Sequence, residues 1–174
     1  SYYLTGNLSS TNSGIVIAAS GVTVDLMGFS ITGDGDNGDY GIHVVGVTNA
    51  VIEDLVITGG RISGFDYGLS CAYMNNSRIE QMVVSGSSYG VYLDGYQGQC
   101  DGNTISDCTI SGNSSYGVYL DGENSGQCDG NTISDCTISG NNSHGVYLRG
   151  LNGQCNGNTL YLIHISEPTR LGMI

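Results

Sequence analysis

Three GVYL runs each place an aromatic ring two residues before a charged group: Tyr92 with Asp94, Tyr119 with Asp121, and Tyr147 with Arg149. Residues i and i+2 of an extended chain point to the same side. Val91 and Leu93 are therefore expected to face inward, and Tyr92 and Asp94 outward. A ring flanked by carboxylates can grip a sugar chain, because the ring covers the apolar sugar face and the carboxylates accept its hydroxyls. Tyr92, Asp94, Tyr119, Asp121 and Tyr147 are accordingly the candidate glycan-binding residues. His43 and Ser70 continue their column toward the N-terminus. The same pattern also fits a packed tyrosine ladder. A second column, Tyr40, Tyr67, Tyr89, Tyr116 and His144, is expected to cover a corner of the core.

Carboxylates recur in two further places. The loop GDGDNGDYG carries Asp34, Asp36 and Asp39, and Asp101 and Asp129 occupy matching positions in successive repeats. These five are the candidate ligands for weakly bound calcium. The loop departs from an EF-hand, since its fifth position is Gly38 and no Glu closes it. No cofactor is otherwise expected. Asn103, Asn131 and Asn158 share one corner, where stacked amides can pass hydrogen bonds between repeats.

The six cysteines invite a disulfide or zinc reading, but each replaces an apolar residue. Cys108 and Cys136 align with Phe29, Leu55 and Met82. Cys71 aligns with Leu93, Leu120 and Leu148, and Cys100, Cys128 and Cys155 align with Val47 and Met74. A free thiol behaves as a small buried hydrophobe. Buried thiols are expected. A bridge between stacked cysteines stays open, because a spacing near 4.8 Å lies inside the disulfide Cα range. No CxxC or paired His marks a zinc site.

Catalysis finds no specific constellation. Lyase-type chemistry would need a basic residue facing a cation-binding acidic cluster, yet there is no Lys, and Arg61, Arg78 and Arg149 share no column with the acidic loops. Many carboxylate pairs could meet a glycosidase distance test, so none is specific. The reading leans against an enzyme.

The elements that position these residues are written in a repeat. The Gly opening each apolar run falls at Gly14, Gly41, Gly68, Gly90, Gly117 and Gly145, with gaps of 27, 27, 22, 27 and 28. Within a repeat the runs GVYL, NTIS and CTIS are short and β-branched, with Gly, Asn, Asp and Ser between them. Three short strands per coil, stacked in parallel, predict an all-β solenoid of about six coils of 22–28 residues. The 29 glycines and single proline suit its corners and leave ladder donors unblocked.

The segments SYYLTGNLS and GIVIAASGVTVDLMGFSITG resemble the first coil of right-handed parallel β-helix proteins of the pectin-lyase-like group. NTISDCTISGNSSYGVYL resembles their repeat unit. The resemblance covers residues 1–161 and implies a right-handed single-stranded parallel β-helix. It leaves the activity open, because the group includes lyases, hydrolases, epimerases and adhesins.

After GNTL the repeat breaks. LIHISEPTRLGMI (162–174) contains the only proline and loses the Gly/Asn corners. It resembles an in-frame translation of a sequencing adapter, so residues 162–174 are expected to be a non-native tail adding no matching strand. A capping segment is the alternative reading. The chain is expected to be a fragment of a longer solenoid.

The net charge is −12, with 16 acidic residues against four Arg. Phosphate contacts need a basic face, so a nucleic-acid partner is not expected. Nor is membrane insertion, since no apolar run is long enough. These observations predict a secreted or cell-surface module, non-catalytic as it stands, that presents a repetitive face to a polysaccharide or cell-surface glycan. A fragment of a polysaccharide lyase or hydrolase is the second reading. An ice-binding face built on Thr104/Ser106 and Thr132/Ser134 is the third.

Overall fold

The computed structural model describes residues 1–46, 50–161, 163–166 and 171–173. Among them there is no helix, and every strand pairing is parallel. The chain winds as a right-handed parallel β-helix. One sheet, here the tyrosine face, stacks Ile15–Ile17, Tyr40–Val45, Tyr67–Ala72, Tyr89–Asp94, Tyr116–Asp121, His144–Arg149 and Leu171–Met173. The opposing sheet carries the TIS runs. Val56–Ser63 and Arg78–Ser85 each cross it as one continuous strand that turns at Gly59 and Gln81, at φ 76 and 56°. Farther down, the same path is bent into two short strands, Thr104–Ser106 with Thr109–Ser111, and Thr132–Ser134 with Thr137–Ser139.

The bend has a local cause. Asp107 and Asp135 sit at φ 54 and 55°, in the left-handed region that Asp tolerates better than most residues. Gln81 takes the same turn in the coil above.

The opening glycines keep the coils close. A Cβ on Gly90 would lie 2.5 Å from the carbonyl oxygen of Gly117, and one on Gly117 would lie 2.5 Å from that of Gly145. No other residue type fits this column without moving the backbone of the next coil.

The interior is a continuous apolar cylinder. Val91, Val118 and Val146 form one column, and Ile105 and Ile133 another, all fully or almost fully buried. Cys71, Cys100, Cys108, Cys128 and Cys136 are buried, and Cys155 is half-buried in the last repeat. Their thiols donate to backbone carbonyls, as from Cys108 to Ser106 at 3.1 Å and from Cys100 to Cys71 at 3.4 Å. Burial pushes the Cys71 and Cys128 thiols well above the usual range.

Two sequence alignments and one expectation about the tail are corrected by the register. Met82 pairs with Gly60, which puts Gly60 rather than Leu55 in the column of Cys108. The space beside Gly60 is filled by Leu26, fully buried in the adjacent coil. Met74 pairs with Ile52, so Ile52 heads the column assigned to Val47, which lies outside the described residues. The expectation of no strand beyond residue 162 also fails. His164–Ser166 pairs in register with Thr137–Ser139, and Leu171–Met173 pairs with Val146–Leu148. An open sheet edge templates any segment able to extend along it. Leu162, residues 167–170 and Ile174 lie outside the described residues.

Two buried polar columns tie the coils at their corners. In the first, the Oδ1 atoms of Asn103, Asn131 and Asn158 accept the backbone N–H of Ser77, Asn103 and Asn131 at 3.0, 2.8 and 2.8 Å. Their amides donate to the carbonyls of Met74, Cys100 and Cys128. Each asparagine thus satisfies one donor and one acceptor that would otherwise be buried unpaired. The second column, Ser87, Asn113 and Asn141, works in the same way. Asn113 accepts from Ser87 N–H, and Asn141 from Asn113 N–H, both at 3.1 Å.

Candidate functional site

The tyrosine face gathers the candidate site. Register places Tyr92 beside Tyr119 and Tyr119 beside Tyr147, with His43 and Ser70 above. Tyr40, Tyr67, Tyr89, Tyr116 and His144 form the adjoining column. The two columns merge into one stack. Tyr92 and Tyr119 lie 5.1 Å apart at 10°, Tyr116 and Tyr119 5.2 Å apart at 17°, and Tyr67 and Tyr89 4.8 Å apart at 10°.

This geometry corrects the expected mode of contact. Each ring face is covered by its neighbour, so the rings present edges and hydroxyls outward rather than open faces. Tyr119 and Asp121 are only 7% and 5% exposed, and they support the site from within. Tyr92, Asp94 and Tyr147 are half-buried and remain reachable. The stack is therefore a packed ladder whose edges are partly exposed.

The stack is wired by hydrogen bonds along the axis. Tyr92 donates its phenol hydrogen to Asp121 Oδ2 at 3.0 Å. Asp94 and Asp121 each cap a turn of their own chain, accepting the N–H of Tyr96 and Glu123 at 3.0 Å. Below Asp121 the column changes sign: Arg149 pairs with Glu123 at 2.9 Å and donates to the Tyr119 hydroxyl at 3.5 Å. Burial raises the Asp94 carboxyl above the usual carboxylate range, with Asp121 beside it adding to the shift. Burial also pushes Tyr119 up to about 12 against the opposing pull of Arg149, and Tyr67 up to about 12 with help from Tyr89 and Asp66. Tyr92 is raised further, by burial first and then by Asp94 and Asp121. These phenols are hydrogen-bonding groups at neutral pH, not bases.

The calcium candidates are not brought together. Asp34, Asp36 and Asp39 lie between Ser30–Thr32 and Tyr40–Val45, whereas Asp101 and Asp129 lie between the tyrosine face and the TIS runs. Asp34 accepts the N–H of Asp36. Asp101 accepts the N–H of Asp129 at 2.8 Å, and Asp129 that of Asn156 at 2.5 Å, so this pair forms a further coil-to-coil ladder. Among the described residues no three His, Cys, Asp or Glu side chains converge on a metal-sized point. The second asparagine column was missed in the sequence. Its signal was present, as the GN of SGN recurs at Asn113 and Asn141 in phase with the corner.

A parallel β-helix with a polar, aromatic outer face defines the class of protein. The family profile described as "Periplasmic copper-binding protein (NosD)" matches residues 5–168, and the chain belongs to that family. A search of curated protein sequences returned no match. Among solved structures, the alginate lyase from Paenibacillus sp. str. FPU-7 superposes with a TM-score of 0.59 at 15% identity, covering 98% of this chain and 67% of that one. The Dettilon tailspike protein gives a TM-score of 0.43 at 16% identity, covering 92% of this chain and 40% of that one. At such identity the lyase likeness concerns the fold.

The family description names copper, and the residues here do not fit a copper centre. Five of the six thiols are buried, and those of Cys100, Cys108 and Cys128 give their hydrogens to backbone carbonyls. His43 and His144 are built into the ring stack, and His164 stands on another sheet. No described histidine joins a thiol or carboxylate cluster.

Proposed function

We propose that this chain is a periplasmic or cell-surface β-helix module that binds a glycan along the tyrosine face and performs no chemistry on it. The observation that carries this reading is the axial array of phenol hydroxyls and carboxylates at Tyr92, Asp94 and Tyr147, held in place from behind by Tyr119 and Asp121. Neighbouring coils stand about 4.8 Å apart, so a polymer lying along the axis meets the same groups once per coil. Each contact is weak, and several engaged together give the affinity.

The test is a glycan array followed by calorimetry on the positive oligosaccharides. Binding that strengthens with oligosaccharide length, weakens in Tyr147→Ala, and occurs without new reducing ends or unsaturated products supports the module. Turnover of a bound polysaccharide would favour a degrading enzyme instead. Absence of any glycan ligand would remove the reading.

A further inference from the structure

The tyrosine face is rich in carboxylates and poor in free cations. Along one edge, Asp39 and Asp66 immediately precede Tyr40 and Tyr67. Along the other stand Asp94 and Asp121. Carboxylates only accept. The phenol of Tyr92 has already spent its hydrogen on Asp121, which leaves its oxygen lone pairs. Arg149, the one guanidinium on this face among the described residues, is taken by Glu123 and Tyr119. Arg61 and Arg78 lie on the opposing sheet. Burial lowers the His43 pKa, which keeps that ring neutral at pH 7. Asp94 is half-buried with no cation beside it among the described residues, and desolvation penalises its charged form. A face of this kind repels anionic polymers and offers sugar carboxylates or sulfates only neutral phenol donors.

We propose that the glycan bound here is cationic, a hexosamine polymer with free amino groups. Its ammonium groups donate to the Asp94 carboxylate and to the neighbouring phenol oxygens. This deepens the glycan-binding reading and rests on it. An ammonium supplies what the face lacks, a positive charge at the desolvated carboxylate, and brings three charged donors with it.

The experiment is calorimetry with glucosamine hexamers and N-acetylglucosamine hexamers of equal length, on the full chain. Glucosamine hexamers should bind at least ~10-fold more tightly, an advantage that disappears in about 1 M salt, where the screening length falls to ~3 Å. Asp94→Asn should cut glucosamine binding several-fold while leaving the circular dichroism spectrum unchanged. Asp135→Asn, the same charge change at an exposed turn of the opposing sheet, should not. Equal binding of the two hexamers would overturn the cationic class and leave the glycan reading standing. Equal loss in the two variants would overturn the seat at Asp94. Binding of neither hexamer, alongside tight binding of an anionic polymer such as alginate, would overturn the proposal while the glycan reading survives. Failure of every glycan would remove both.

Discussion

Tyr92 and Asp121 are 29 residues apart in sequence and one coil apart in space, joined by a phenol-to-carboxylate hydrogen bond of 3.0 Å. The bond crosses the axis-wise seam between two coils in the stretch where the repeat is most nearly exact. Replacing Tyr92 by Phe keeps the ring stack and removes only this bond. The expected loss is ~1–2 kcal/mol, read as a lower urea midpoint at an unchanged slope. No change would show that water serves Asp121 equally well.

The asparagine column predicts a graded series. Asn131→Ala leaves the N–H of Asn103 and the carbonyl of Cys100 without partners in a buried corner. A loss of ~2–4 kcal/mol follows. Asn158, which is half-buried, makes the same two bonds near the open end. Its alanine variant should cost less, and equal melting points for the two variants would contradict the ladder.

The thiols predict contrasting substitutions. Cys108→Val nearly conserves volume and should cost under about 1.5 kcal/mol. Cys108→Asp buries an unpaired charge and should prevent folding. In the native protein a thiol reagent should reach the half-buried Cys155 first. Rapid modification of all six would mean that the interior is open.

Alkaline pH should unfold the stack. The folded Tyr67 and Tyr119 hold their protons up to about 12, against an ordinary value of 10.0. Between those values the folded state binds more protons than the unfolded one, so stability falls as pH rises through that window. Phenolate absorbance and circular dichroism followed together should show ionisation of the stacked rings coinciding with loss of structure. Asp94 acts with the same sign at the acid end: its raised carboxyl contributes stability below the ordinary carboxylate range that is lost as pH rises through its folded value.

Deleting residues 162–174 removes Ile163 and Ile165, which pack against the core, and uncovers the strand edges at Thr137–Ser139 and Val146–Leu148. The coils above keep every pairing of their own. The melting temperature should fall by a few degrees, with the β-sheet signal of the rest retained. Complete unfolding would make the tail indispensable to the whole rod.

The fold was legible because the repeat states it many times over. Column membership followed from the GVYL anchors, and the burial of Cys71, Cys108 and Cys136 followed from those columns. Gly60 and Ile52 escaped because the upper coils differ in length, and a shift of a few residues at a corner leaves no mark in the composition. The covering of Tyr119 was hidden for another reason. Alternation tells which side of a strand a ring takes, but whether that ring stays open depends on the adjoining column, three residues away along the strand and on the coils beside it. Tyr119 meets Tyr116 of its own strand and Tyr89 of the coil before, and the second contact exists only once the register is fixed. The tail strands were missed because a segment can be recruited by an edge without carrying the repeat's own signature.

The column of opening glycines carries a genetic consequence. Since Gly90, Gly117 and Gly145 occupy equivalent seats, a duplicated stretch of gene encoding one coil would enter the rod without a seam, and a deleted one would leave no gap. The near-identity of Ser88–Ser114 and Ser115–Asn142 is what recent copying would leave behind. Unequal crossing-over could thus lengthen or shorten the molecule in single steps, with each copy free afterwards to exchange an outward residue, as Arg149 stands where its sisters have Asp94 and Asp121.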